Sequence, residues 1–375
     1  MEENKHMLHF ENITVVVHTK NRPKFLLRLI DYYQEKIGAF KANVIILDAS
    51  TRKNFLIISK ELKQREYSLR INVLHHSPST SLTERFYDIF DLISTPYMLL
   101  AADDDLYLFD SWVKSATELL ESDSSFGVVY GHIIRFKLKK HEPYGELSKF
   151  GWSKRIPPER WLEEDSIFER LAELGKSDWA TVGWYALQRT EMFRIIIDKA
   201  VEYKLDGYHL EKFIIFCQAV LTKTRMLDCI FLARQDDDHI RGLYSYRKES
   251  RLLSELKKAS SEILSEYANI DMKLAVDMFE NIFSSEINEL RAADSMSLLR
   301  KVGRRSLSLV KIRNYFKKLK GDNDGITMYY SLRDARFPTE PELDIEHPAI
   351  NEIMRVVSSG YQLKPGQNEP RPKKP

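Results

Sequence analysis

Several things are scarce in this sequence, and each scarcity closes a class of function. Only two cysteines occur in 375 residues, Cys217 and Cys229. That number cannot supply a zinc-binding spacing or a disulfide framework, and both lie in apolar strings ("IIFCQAV", "LDCIFLA") that read as sites of buried, reduced thiols. Long apolar runs are missing, so nothing approaches the ~18 residues that span a bilayer. The opening "MEENKHMLHFEN" has no apolar core of the kind a secretory signal carries, and the expected compartment is the cytosol. Charge of one sign is also missing. With 57 Lys and Arg against 55 Asp and Glu the net charge is +2, which is not the global basic field of a nucleic-acid binder. Glycine is sparse, at 14 residues, and none falls in "HTKNRP", so the turn after the first strand lacks a glycine-rich phosphate cradle. No internal repeat is visible.

What is present is a chain able to build a large core, with 43% hydrophobic and 11% aromatic residues. "ITVVVHT" is a β-branched run that breaks at "KNRP", and Pro23 opens an amphipathic helix, "KFLLRLIDYYQEKI". "ANVIILDAS", "LRINVLHH" and "PYMLLAADDD" read as three further strands, separated by the helical strings "KNFLIISKELKQRE" and "SLTERFYDIFDLI". Alternation of strand and helix over the first hundred or so residues implies a mostly parallel sheet flanked by helices. Beyond it, "DSWVKSATELLE" reads as a helix capped by Asp110 or Ser111, "FGVVYGHIIRFKL" as a strand, and "HEPYGELSKFGWSKRIPPERW" as a loop-rich excursion. From residue 246 the pattern turns to long charged helices. The expected organisation is a catalytic domain over 1–245, a helical region over 246–335 and an extended, partly disordered tail over 336–375.

The most informative string is "LLAADDDLYLF". A buried strand ends in Asp103, Asp104 and Asp105, which repel one another and need a counter-charge. In an open parallel sheet ligands bind beyond the carboxyl ends of the strands, where Thr19 to Arg22, Asp48 to Ser50 and Asp103 to Asp105 all fall. If the chain stays extended, Asp103 and Asp105 face one point and Asp104 another. Such a pair suits Mg²⁺ or Mn²⁺ bridging a diphosphate. The competing reading is an acidic turn that caps a helix.

Three strings in register, "VVVHTKNRPKFLLRLI", "VIILDAS" and "LLAADDD", resemble the nucleotide-sugar domain of GT-A glycosyltransferases, in particular the family-2-like inverting enzymes of bacteria. The resemblance implies a Rossmann-like GT-A sheet with an α-helical appendage. It also implies a nucleotide-diphosphate sugar as donor, with UDP the default nucleotide, and a glycan or lipid-linked hydroxyl as acceptor. Carried over by position, Thr19, Asn21, Arg22, Asp48, Ser50, Asp103 and Asp104 would line the nucleotide pocket, with Asp105 the most direct metal ligand and Asp103 beside it. Downstream, "TVGWYALQRTEMF" resembles the floor beneath the acceptor. Where the family sets an acidic pair at a helix head, this chain has "DGYHLEKFIIF". Glu211 is present, Lys212 replaces the second acid, and the base is assigned to Glu211 first and Asp206 second. In "ARQDDDHIRG", His239 would complete the metal shell and Arg241 would meet the pyrophosphate.

Arg300 to Lys320 carries nine basic residues, no acidic one and interspersed apolar side chains, so 298–320 is a candidate for peripheral contact with anionic membrane. No nucleic-acid reading motif accompanies it. Two other readings stand beside the glycosyltransferase: a nucleotidyltransferase of related fold, disfavoured by the glycine-free first turn, and a non-catalytic scaffold that keeps the nucleotide-binding fold.

Overall fold

The structure, a computed structural model, describes residues 8–154, 162–176, 183–235, 246–283 and 347–358. In chain order it contains α1 (Leu8–Glu11), β1 (Ile13–Thr19), α2 (Pro23–Ile37), β2 (Asn43–Asp48), α3 (Arg52–Gln64), β3 (Arg70–His75), α4 (Leu82–Tyr87), β4 (Tyr97–Ala102) and β5 (Asp105–Tyr107). These are followed by α5 (Val113–Ser122), β6 (Phe126–Leu138), β7 (Leu147–Lys154), α6 (Ile167–Lys176), β8 (Leu187–Arg189), α7 (Thr190–Glu202), α8 (Gly207–Leu221), β9 (Lys223–Gln235), α9 (Tyr246–Ala268), α10 (Met272–Ile282) and α11 (Pro348–Val357). Short 3₁₀ turns lie at Gly38–Phe40, Phe109–Ser111 and Gly183–Tyr185.

One mixed sheet organises the chain in the order β3-β2-β1-β4-β8-β6-β9-β5, with β7 paired to β6. The first four strands are parallel, with β1 between β2 and β4. β1 and β4 are covered on both faces, which is why they read as unbroken apolar runs instead of alternating ones. Strand order reverses at β1 and β4, so Thr19 and the residues after Ala102 sit at the switch point where such sheets take ligands. The second half is antiparallel at β8, β5 and β7, and parallel only between β6 and β9.

Three local details differ from the sequence reading. The stretch read as a loop-rich excursion contains β7, which folds back on β6 as a hairpin; Leu147, Phe150 and Trp152 supply apolar contacts to the core. α5 is entered from the 3₁₀ turn with Trp112 at its N-cap, not Asp110 or Ser111, because Trp112 is anchored in a cluster with Tyr107, Phe109 and Phe231. Within the stretch read as an extended tail, Pro348 starts α11. His347 caps it through Nδ1, and Ile350, Ile353, Val356 and Val357 are buried at helical spacing. α9 and α10 contribute Leu256, Ile263, Leu264 and Phe279 to the same hydrophobic core as the sheet.

Gly131 marks where β6 slips against β9, the register passing from Gly131 opposite Leu227 to His132 opposite Ile230. A β-carbon there would lie 2.7 Å from the Cys229 carbonyl and 2.7 Å from the Phe231 β-carbon. Gly131→Ala is therefore expected to destabilise the chain by about 1–3 kcal/mol, the cost of overpacking a rigid interior. Urea denaturation checks this: a change within error of zero would mean that the bulge backbone shifts to admit the methyl group.

Candidate functional site

The site is built at the rim where β1, β2 and β4 end. After β1 the backbone turns through Asn21, whose φ of 58° is one that asparagine tolerates better than most residues. The Asn21 amide N–H donates to Ser50 Oγ at 2.7 Å, and its side-chain oxygen accepts from the Thr51 amide at 2.8 Å and from Asn54 Nδ2 at 3.0 Å. Asn21 and Ser50 thus lash the β1 turn to the β2 turn, and these bonds hold the pocket wall in shape.

Asp48 is completely buried at the end of β2. Its Oδ1 accepts from the Ser50 amide at 2.9 Å, while Oδ2 is buried with no hydrogen-bond partner among the described residues. Thr51, not Asp48, is the N-cap of α3. A buried carboxylate oxygen without a donor is costly unless something supplies one.

The three adjacent aspartates do not share one extended segment. β4 stops at Ala102, Asp103 and Asp104 form a turn, and β5 begins at Asp105. This corrects the expected i, i+2 geometry: Asp103 and Asp104 converge on Arg22, and Asp105 faces Arg234 of β9. Arg22 Nη1 lies 2.8 Å from Asp103 Oδ1 and 2.8 Å from Asp104 Oδ2, and Thr19 Oγ1 donates to Asp103 Oδ2 at 2.6 Å. Asp105 stands opposite Arg234 in the β5–β9 ladder, with Oδ2 3.6 Å from Arg234 Nε; that oxygen accepts no hydrogen bond among the described residues, while the Tyr185 side chain hydrogen-bonds to the carboxylate. Arginines from α2's entry and from β9 therefore supply the counter-charges that the sequence called for. Burial outweighs them and raises both Asp103 and Asp105 to about 7; Asp104 adds to the rise in each, while Arg22 chiefly opposes it at Asp103 and Arg234 at Asp105.

Around this rim stand further groups that little in the local sequence marks out. His18 is half-buried edge-on to Phe86 and Trp184, and burial, aided by the charge of Arg85, lowers it to about 4, so the imidazole is neutral at neutral pH. Arg85 of α4 is buried, its Nε donating to the Ser81 carbonyl at 3.3 Å. Burial lowers its pKa, and the charges of Asp206 and Asp48 work against that lowering, so the cation stands between the β2 end and the head of α8. Tyr185 is buried beneath Arg234, whose guanidinium carbon lies 4.6 Å from the ring centre.

The candidate bases divide at the head of α8. Asp206 accepts the Leu82 amide through Oδ1 at 3.0 Å, which ties it to the start of α4. Glu211, one turn into α8 and half-buried, is felt electrostatically by both Tyr185 and Arg234, the residues beside Asp105. Lys212, where the family places a second acid, is buried with its ammonium 5.3 Å from the Tyr208 ring centre. His239 and Arg241 lie outside the described residues, as do Trp179 and the basic stretch 298–320.

Asp105 Oδ2, a buried hard oxygen that accepts no hydrogen bond among the described residues, suits a divalent ion, with the Asp103 carboxylate close enough for the two charges to act on each other. Among the described residues no three His, Cys, Asp or Glu side chains converge as a closed metal cage. Among the described residues no helix is long and apolar enough to cross a membrane.

Residues 14–196, from β1 to within α7, match the family described as Glycosyl transferase family 2. No curated protein matches the chain in sequence. Solved structures similar to it include TarS of S. aureus in complex with UDP-GlcNAc, at 12% identity over 73% of this chain and 73% of that one, with a TM-score of 0.45. Mannosyltransferase PcManGT of Pyrobaculum calidifontis, in complex with GDP-Man and Mn²⁺, is similar at 12% identity over 86% and 84%, with a TM-score of 0.45. Glucosyl-3-phosphoglycerate synthase of Mycobacterium tuberculosis, in complex with Mn²⁺, UDP and phosphoglyceric acid, is similar at 13% identity over 69% and 79%, with a TM-score of 0.38. The chain is a glycosyltransferase that carries a glycosyl transferase family 2 domain over residues 14–196.

Proposed function

We propose that this chain moves a sugar from a nucleotide-diphosphate sugar, with UDP the default carrier, to a hydroxyl of a cell-surface glycan or lipid-linked acceptor, with inversion and with the help of Mn²⁺ or Mg²⁺. The observation that carries the reading is a pair of buried carboxylate oxygens on one rim of the sheet, Asp48 Oδ2 and Asp105 Oδ2, that accept no hydrogen bond among the described residues. Asp48 would accept from a base or ribose N–H or O–H, as its buried acceptor demands. Asp105, with Asp103 beside it, would hold the divalent ion, which when bound stabilises negative charge on a departing diphosphate. Thr19 and Arg22 fix the orientation of Asp103, Arg234 balances the charge of Asp105, and Glu211 takes the proton of the attacking hydroxyl. The remaining contribution of the chain is positioning and fixed charge in a water-poor rim. The work is expected on the cytoplasmic side, with 298–320 as the segment that contacts anionic membrane.

A thermal-shift screen of nucleoside diphosphates and nucleotide-sugars, with and without Mn²⁺, tests this. One nucleotide is expected to raise the melting temperature by several degrees in a metal-dependent way, since a ligand that binds only the folded state stabilises it by RT ln(1 + [L]/Kd). Asp105→Ala is expected to lose the metal-dependent part. A flat response to every nucleotide would make the aspartate turn a structural one and remove the donor site, whereas nucleotide binding without turnover would favour the scaffold reading.

A further inference from the structure

A buried arginine should not lie in the apolar stripe of a helix without a reason. Arg28 does so: it follows Leu26 and Leu27 in α2, is completely buried, and points its guanidinium under the acidic turn. Nη2 donates to the Asp104 carbonyl at 3.2 Å. Nη1 donates to the Pro143 carbonyl at 2.6 Å and to Gln235 Oε1 at 2.8 Å. Gln235 in turn donates through Nε2 to the Glu142 carbonyl at 2.9 Å. The β6–β7 hairpin is thereby joined to the end of β9 and to the aspartate turn through one guanidinium. The same hairpin receives α11, because the Gly145 amide donates to the Val357 carbonyl at 2.8 Å.

Burying a guanidinium costs several kcal/mol unless charge and hydrogen bonds compensate it. Here burial lowers Arg28 to about 10 and the charge of Asp104 opposes the fall, so the group stays protonated at neutral pH. The three bonds made by this cation are charge-assisted, and the fork geometry lets one side chain hold three separate segments at fixed spacing.

We propose that Arg28 is a positioning residue for the donor site: it sets the Asp103–Asp104 turn, and with it the direction in which Asp105 leaves that turn, by clamping the Asp104 carbonyl to the β6–β7 hairpin and the β9 end. The proposal rests on the reading of this turn as the metal and diphosphate seat. Arg28 itself touches no ligand. The clamp extends outward to α11, so a helix more than 240 residues downstream braces the turn from behind.

The test uses the full chain with Arg28→Met, Arg28→Lys and Gln235→Leu. Amide hydrogen exchange over 99–109 is read against exchange over β1 to β3, and the Mn²⁺ half-saturation constant against the donor KM at saturating Mn²⁺. In Arg28→Met, exchange after Ala102 is expected to accelerate at least tenfold with β1 to β3 unchanged. The Mn²⁺ constant is expected to rise at least tenfold while the donor KM moves less than threefold. Lysine keeps the charge but not the fork, and should restore the metal constant only in part. Gln235→Leu removes one acceptor and should show a smaller change of the same kind; it serves as the readout if Arg28→Met does not fold. An arginine that merely stabilises the fold would lower the melting temperature and leave the Mn²⁺ constant alone, and that outcome overturns the proposal. Unchanged exchange in a folded variant overturns it too, whether or not the chain turns over a nucleotide-sugar, so failure of the clamp and failure of the donor reading are told apart.

Discussion

Asp105→Asn is expected to lower turnover of the nucleotide-sugar at least ~1000-fold, about 4 kcal/mol of transition-state stabilisation, without lowering the melting temperature at pH 8. The two halves of that expectation have one cause. Asp105 is buried, and burial lifts its pKa from an ordinary 3.8 to about 7. A carboxyl whose folded pKa exceeds its unfolded value binds its proton more tightly in the folded state. Its ionisation therefore costs stability, beginning near pH 4, growing as pH rises and complete above pH 7. Asparagine has the same shape and no charge to bury, so the fold is relieved of that cost while Arg234 keeps its stacking on Tyr185. The catalytic loss follows because a neutral amide is a poor ligand for a hard divalent ion. The same shift sets a pH limb: protons compete with the metal at Asp103 and Asp105, so metal-supported activity should fall as pH drops below about 7. Steady-state assays from pH 5.5 to 8.5 with parallel melting curves check both. Retained activity in Asp105→Asn would take the metal role away from this residue. A large drop in melting temperature would mean that Asp105 is held for its pairing with Arg234.

The rim was legible in the sequence because a parallel sheet covered on both faces must be apolar until its strands end, and only then can Thr19, Asp48 and Asp103 appear. Periodicity finds such ends without knowing the fold. It does not find what meets them. Arg22 was legible as a rim residue, but its pairing with both Asp103 and Asp104 depends on a turn that interrupts β4 and β5, and "AADDDLY" shows no break. Arg234 reaches Asp105 across 129 positions of chain, through an antiparallel pairing of β5 with β9 that no local pattern encodes. His18 had a faint signal as the polar residue that ends "VVV", and Arg28 another as a charge inside an apolar stripe. Arg85 had none, since "SLTERFYDIF" is an ordinary amphipathic string until the fold sets it between Asp48 and Asp206. The β6–β7 hairpin was missed for a related reason: its strand β7 is half-exposed, and its Lys, Gly and Ser break any alternation.

Glu211→Gln is expected to lower kcat by ~10²–10⁴-fold, the usual contribution of general-base catalysis, with the donor KM within threefold and the metal-dependent nucleotide shift intact. Asp206→Asn is expected to behave in the opposite way, because the two carboxylates do different things at the same helix head. Asp206 Oδ1 accepts the Leu82 amide, one of the donors left open at the start of α4, so its neutral isostere should cost about 1 kcal/mol or less of stability and leave kcat within tenfold. Glu211 stands where its charge acts on Tyr185 and Arg234, the two residues that flank Asp105, so the acid and the metal ligand share one field. The substitution of Lys212 for a second acid sharpens the test, since only one carboxylate remains at that turn to do the work. Kinetics of both variants, with melting curves to normalise for folding, separate the outcomes. Loss of kcat in Asp206→Asn alone would move the base to Asp206 and make Glu211 a partner of Arg234. Full activity in both would rule out direct displacement assisted by a carboxylate of this helix.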